Sequence, residues 1–317
     1  MQRRLVRRFR VATLAGAIAI WGGIDAGAAQ GKDVCDLTSE WLLRSCQTEA
    51  RAASRLAFAK CLNLSAAAAT HACRQQAAAD LRDALSACGD ADEARDTVCS
   101  RLGPGVYDPV INPANFTTTI DNPYFPLKPG TGFHYKGVAE DGKTPQTDDM
   151  FVTGQTKKIL GVDATVIRDV VSQRGKVVER TLDWYAQDKQ GNVWYMGEDA
   201  RELEGGKFVK ATDSWQGGVD GAEPGIIMPG KPQPGDEYRQ EYYPGYALDQ
   251  ARVIGSGGPL TVPAGSYKKT LLTVETAPKL DPGVAERKYY VAGVGDVKEQ
   301  TVSGNREEIE LIRVTHG

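Results

Sequence analysis

Histidine is scarce in this chain: His71, His134 and His316 are the only three in 317 residues. An imidazole-based metal centre or a serine–histidine–aspartate relay needs such residues brought together, so both are disfavoured. No C-x-x-C pair occurs, and there is no P-loop, no dinucleotide fingerprint in a βαβ setting and no EF-hand loop. No metal and no cofactor is expected. Aromatics and prolines are missing from one stretch only. Residues 29–103 contain Trp41 and Phe58 and no proline, whereas residues 104–317 hold 20 of the 24 aromatics and all 16 prolines. That shift reads as a domain boundary, punctuated by Gly103-Pro104-Gly105.

Long apolar runs are also lacking. The run from Val11 to Ile24 is too short for a comfortable membrane span, and no second one follows. It lies behind Arg3, Arg4, Arg7, Arg8 and Arg10 and ahead of Ala26-Gly27-Ala28, the layout of a cleaved secretory signal over residues 1–28. Cys35 follows Asp33-Val34 rather than small residues, which argues against a lipid anchor. A periplasmic or secreted protein is expected, with no integral membrane span. Cleavage would remove five arginines and Asp25 from 38 basic and 41 acidic groups, leaving 33 and 40, a net charge of −7. That balance argues against nucleic acid as a partner.

What is present, and informative, is the cysteine pattern. Cys35, Cys46, Cys61, Cys73, Cys88 and Cys99 are separated by 11, 15, 12, 15 and 11 residues, a mirror image centred on residue 67. In a helix such spacings keep the thiols on one side, because 11 residues return to within about 20° and 15 to within about 60° of one face. Two antiparallel helical arms folding about the centre would pair Cys35 with Cys99, Cys46 with Cys88 and Cys61 with Cys73. Disulfides suit an exported chain, and zinc has only His71 nearby. Asp36 or Thr38 can cap the first arm, which runs to Leu62; Asn63-Leu64-Ser65 turns it, and Ala66 to Ala87 returns. Gly89 followed by Asp90 and Asp92 reads as a helix stop with a new cap.

The region 104–317 reads as strands. Gly132–Val138, Met150–Gly154, Ala164–Val171, Lys176–Gln187 and Asn192–Glu198 are β-branched and aromatic runs, joined by later ones at Glu237–Tyr243, Gln250–Gly255, Tyr267–Thr276, Glu286–Val291, Asp296–Val302 and Glu307–Thr315. About ten to twelve strands without intervening helices predict an antiparallel meander curved into a half-barrel or barrel. The fold class is therefore α+β: a disulfide-stapled helical hairpin at 29–103, then an antiparallel β domain at 104–317.

Several phrases carry a resemblance. Asp183-Trp-Tyr-Ala-Gln-Asp188, Gly191-Asn-Val-Trp-Tyr195, Pro224-Gly-Ile-Ile-Met-Pro229 and Tyr238-Arg-Gln-Glu-Tyr-Tyr243 resemble a set of exported bacterial proteins without an assigned activity. Val262-Pro-Ala-Gly265, Tyr289-Tyr290 and Gly293-Val-Gly-Asp-Val-Lys298 are similar to the ends of envelope proteins of the LolA/LppX half-barrel kind. The resemblance spans roughly residues 106–315 and leaves out the cysteine hairpin. It implies a curved antiparallel sheet whose concave face commonly holds an apolar or lipid-like ligand.

Strand alternation puts Glu179, Thr181, Asp183 and Tyr185 on one face, and Asp236, Tyr238, Gln240 and Tyr242 on another, opposite Glu237, Arg239, Glu241 and Tyr243. Either inward face sets acids or arginine beside tyrosines. Asp183, Tyr185, Trp194, Tyr238, Glu241 and Tyr242 are accordingly the candidate ligand-binding residues. Three functions stay open at this point. One is an exported non-catalytic protein holding an apolar or amphipathic small molecule in the sheet, with the hairpin available to a protein partner. The second is a cofactor-independent isomerase, cyclase or hydrolase using carboxylate–tyrosine acid/base chemistry. The third is an envelope structural or adhesion module.

Overall fold

The computed structural model describes residues 34–102, 107–278 and 280–317. The expected signal segment 1–28 and the Gly103-Pro104-Gly105 boundary lie outside the described residues. The chain divides into two compact units, a helical one and a sheet unit covering Tyr107–Gly317.

The helical unit is α1 (Val34–Cys61) and α2 (Ala67–Leu102). Alanine-rich sequence favours helix intrinsically but supplies little side chain to bury. Cross-links compensate: Cys46–Cys88 and Cys61–Cys73 join the two helices with Cα separations of 5.9 and 5.7 Å. Both belong to the nested pairing. Cys99 is buried and disulfide-bonded; the side chain of Cys35, its expected partner, lies outside the described residues. Two details of the helices differ from the sequence reading. α1 begins at Val34, so Asp36 and Thr38 fall inside it rather than capping it. α2 runs through Gly89 without a stop. Asp92 lies inside α2, and its carboxylate is taken by Ser39 of α1 and by Arg95 one turn further on. Its Oδ1 accepts from Ser39 Oγ at 2.9 Å and from the buried Arg95 at 3.1 Å.

The sheet unit is two meanders fused into one antiparallel sheet. The first comprises β1 (Thr131–Val138), β2 (Pro145–Ile159), β3 (Val162–Gln173), β4 (Lys176–Gln187) and β5 (Val193–Glu204). Short β6 (Lys207–Lys210) folds back on β5, and β7 (Glu223–Met228) takes the next position beside β5. The chain then makes β8 (Glu237–Arg239) and β9 (Glu241–Tyr242). The second meander is β10 (Gln250–Val262), β11 (Gly265–Ala277), β12 (Asp281–Val291), β13 (Gly295–Ser303) and β14 (Glu308–His316). β14 pairs with β1, which merges the two halves. The strand order starts at β8 and ends at β9, so the ladder is open.

Those two edge strands are consecutive in the chain, separated only by Gln240. The sheet therefore curls until its edges are bridged covalently at that residue. The segment 237–243, read from sequence as one strand, is broken there. Both Gln240 N and Glu241 N donate to the Asp249 carbonyl, at 2.8 and 3.2 Å, which turns the chain. Gly225 on β7 permits the close crossing, since a Cβ there would stand 2.4 Å from the Gln240 carbonyl.

Curling gives the sheet a buried inner face. The inner core unites Phe133, Met150, Val152, Ile167, Tyr185, Tyr195, Val253, Leu271, Tyr290 and Leu311. Phe125 and Leu127 from the segment before β1 join that core. The segment is pinned by Gln187, whose Oε1 accepts from Asp121 N and Asn122 N, and by Asn122 Nδ2, which donates to the Gly191 and Pro229 carbonyls. The outer face carries a smaller cluster of Ile159, Val162, Val166, Trp184 and Met196.

Candidate functional site

Cross-strand partners share a face, and the register sets acids and tyrosines on the inside of the sheet in several adjacent rows, interleaved with apolar residues. Tyr135 on β1 faces Asp148 on β2, and Met150 faces Asp169 on β3. Ile167 faces Asp183 on β4, which faces Glu198 on β5. In the second meander Tyr238 pairs with Ala251, Ala251 with Glu275, and Glu275 with Glu286. Lys288 pairs with Glu299, and Tyr290 with Asp296. All nine named acids of this wall, counting Glu241, are buried, as is Lys288. Phe125, Leu127, Phe133 and Met150 belong to the apolar core of the same interior.

Burying an ionised carboxylate costs several kcal/mol unless it is paired, and the partners are specific. The Tyr195 hydroxyl bridges Asp183 Oδ1 and Glu198 Oε2 at 2.6 and 2.7 Å. Trp215 Nε1 donates to Glu241 Oε2 at 3.1 Å, and Tyr290 OH donates to Glu275 Oε1 at 3.3 Å. Lys288 Nζ lies 3.0 Å from Glu275 and 3.8 Å from both Glu286 and Glu299. Tyr135 OH donates to the Asp296 carbonyl at 3.1 Å. Tyr185 stacks on Tyr195 with centroids 4.7 Å apart, and Tyr195 meets Trp215 edge-on.

Titration follows from this crowding. Burial pushes the Tyr135 phenol well up, reinforced by Asp296, Glu299, Asp148 and Asp169. Burial likewise raises Tyr185, reinforced by Asp183, Asp169, Glu241 and Glu275. Tyr185 of β4 and Tyr290 of β12 belong to one core, so the two meanders face each other across the interior. Burial raises the carboxyl of Asp296, with Glu299 adding to it. Glu286 is raised by burial against the opposing pull of Lys288. Burial alone would lower Lys288, but Glu275, Glu299 and Glu286 outweigh it and hold the ammonium well above its ordinary value.

Of the six residues singled out by sequence, four meet inside the sheet. Asp183, Tyr185, Tyr238 and Glu241 all belong to the acid–tyrosine wall. Trp194 does not: it is on the outer face, edge-on to Phe116, with Nε1 donating to Asp188. The bulge opposite Trp184 and Tyr185 leaves Tyr195 inward and its neighbour outward. Tyr242 is half-buried beside Tyr107, with the Arg239 guanidinium over both rings. Burial first, then Glu223, pushes Tyr107 up to about 12, against the pull of Arg239. Asp188 holds its turn, accepting from Gln190 N, Asn192 N, Asn192 Nδ2 and Trp194 Nε1. His134 lies between Asp149, at 2.6 Å, and Thr315 Oγ1, at 3.3 Å. It stands on a central strand, β1, paired on both sides with β2 and β14.

The disulfides belong to an oxidising, extracytoplasmic compartment. Among the described residues, no helix is long and apolar enough to cross a membrane. No family model and no curated protein matches the chain. Two solved structures are similar. One, from Bacteroides fragilis, is described as an exported protein with a YmcC-like fold; it is 14% identical at a TM-score of 0.33, covering 61% of this chain and 98% of that one. The other, from Parabacteroides distasonis, is described as a lipoprotein; it is 12% identical at a TM-score of 0.34, with the same 61% and 98% coverage.

Proposed function

We propose that this exported protein is a non-catalytic binder that holds an amphipathic small molecule against the inner face of its curved sheet. One observation carries the reading: the inner face combines an apolar core with many buried acids and tyrosines. A sheet built only for stability would fill that face with apolar side chains, since buried carboxyls are costly. The apolar side chains would give contact area and the acids and tyrosines orientation, the usual division of labour in a ligand site. The half-barrel resemblance of residues 106–315 supports the same reading. The helical hairpin, which exposes Trp41, Leu56 and Leu62, is the surface for a protein partner.

The test is native mass spectrometry of protein purified from its own host. The expected spectrum carries an adduct that disappears on denaturation. A bare native mass, with no binding of short-chain amphiphiles by calorimetry, overturns the reading. A second reading is favoured by the Tyr195 bridge between Asp183 and Glu198, an arrangement suited to acid/base catalysis without a cofactor. In that case turnover, not retention, would depend on Asp183.

A further inference from the structure

We propose that the outer face of the first meander, over β3–β6, docks on a membrane surface that carries anionic phospholipids. The net charge of the chain points the other way, but the fold sorts charge by depth. Among the described residues of the sheet unit, 30 are acidic and 23 basic. Thirteen of these acids are buried, against only Arg239 and Lys288 among the bases, so 17 acids and 21 bases are left towards the surface. At physiological salt a charge is felt over about 8 Å. A partner in contact therefore meets the outer layer more than the net charge.

The register concentrates those bases. Arg180 on β4, Arg201 on β5 and Lys210 on β6 stand directly opposite one another, and all three are exposed. Like charges directly opposite destabilise a sheet, so folding does not account for the row. In the adjacent row Phe151 on β2 faces Arg168 on β3, which faces Leu182 on β4. The Arg168 guanidinium lies over the Phe151 ring, 5.4 Å from its centroid, and that of Arg180 over Phe208, at 4.6 Å. Asp199, 3.3 Å from Arg201, is the one carboxylate ion-paired with these four cations among the described residues. Phe151 and Leu182 are 37% and 40% exposed in their midst. Basic side chains interleaved with exposed apolar ones suit a bilayer interface, where phosphates meet the cations and apolar side chains enter the acyl boundary. An acidic protein would answer the charge and leave Phe151 and Leu182 without a place to be buried.

The experiment is co-sedimentation of the exported protein, purified from its own host, with two kinds of vesicle. One is phosphatidylcholine alone; the other is phosphatidylcholine mixed with phosphatidylglycerol. Binding is expected to the mixed vesicles only, falling as salt is raised. Equal binding to both, or binding to neither, overturns the proposal. Arg180→Gln combined with Arg201→Gln should weaken binding to the mixed vesicles roughly tenfold or more, the scale of two cations at a charged surface. Lys268→Gln combined with Lys269→Gln removes the same charge from exposed positions on β11 and should weaken it far less. Equal losses in the two variants overturn the assignment to this face. The unfolding midpoint of the arginine variant should be unchanged or higher, because a repulsive pair is removed; a fall would overturn the reading of that row. Tighter binding to polyglutamate than to the mixed vesicles would assign the face to an acidic protein and overturn the membrane. If the arginine variant does not fold, the two vesicle types on the unaltered protein decide alone.

Discussion

Replacing Lys288 with methionine is the sharpest test of how the inner face is held together. The ammonium is completely buried and lies 3.0 Å from Glu275, with Glu286 and Glu299 at 3.8 Å. Methionine keeps most of the side-chain volume, so the loss is one of charge and not of packing. Removing one partner of a buried pair leaves the other uncompensated and costs about 3–5 kcal/mol. At about 2–4 °C per kcal/mol for a unit of this size, the unfolding midpoint should fall by about 6–20 °C. The pH dependence has a definite sign. Glu286 is raised in the folded protein, so it contributes stability as pH falls through its folded value and loses it as pH rises. Lys288 restrains that rise, and its removal makes the folded state more dependent on protonation. The gap between Lys288→Met and the parent chain should therefore be wider at pH 8 than at pH 5. Thermal unfolding followed by β-sheet circular dichroism at the two pH values measures it. A variant within about 1 kcal/mol of the parent at both pH values would refute the reasoning.

Other substitutions probe the remaining parts. Breaking Cys46–Cys88, whose ends are 42 positions apart, should cost the helical unit about 4 kcal/mol by loop entropy, and breaking Cys61–Cys73, 12 positions apart, about 3 kcal/mol; peptide mapping without reduction should also recover Cys35–Cys99. A chain beginning at Tyr107 should unfold cooperatively with a β-type spectrum, because the inner aromatic core lies wholly beyond that point; an aggregated product under permissive conditions would count against independence of the sheet unit. Gly225→Ala should destabilise the sheet unit by about 2 kcal/mol or more, because its Cβ would press on the Gln240 backbone; chemical denaturation reads this directly. In a binder Tyr185→Ala should weaken ligand retention more than Asp183→Asn, whereas in an enzyme Asp183→Asn should abolish turnover and spare affinity.

The sequence made some of this legible because local and tertiary preferences agree there. β4 was readable to its ends: β-branched and aromatic residues alternate between the Arg174-Gly175 and Asp188–Asn192 turns. β7 was not, since Pro224-Gly225 resembles a loop and becomes strand only through pairing with β5 and β9. Gly89 failed as a helix stop because Cys46–Cys88 and the Arg95–Ser39–Asp92 contacts fix the helix on both sides of it. The acidic wall was half visible. Asp183 and Glu241 stood out beside aromatics, but Asp148, Asp169, Glu275, Glu286 and Glu299 did not, because a carboxylate on a strand ordinarily faces water.

The signal that would have exposed them is phase. Asp148 lies two and four residues from the buried Met150 and Val152, and Asp169 lies two from Ile167. Glu286, Lys288 and Tyr290 are spaced by two in one strand, as are Val297 and Glu299 in the next. A two-residue period forces such acids onto the face of their apolar neighbours, so placing any one inward places all of them inward. Each then costs free energy that the fold alone does not need to spend. Packing satisfies a face of this kind with apolar residues, and solubility satisfies it from outside. Their accumulation on the buried phase of strands in both meanders, beside Tyr135, Tyr185 and Tyr290, is the pattern that the proposed binding role would account for.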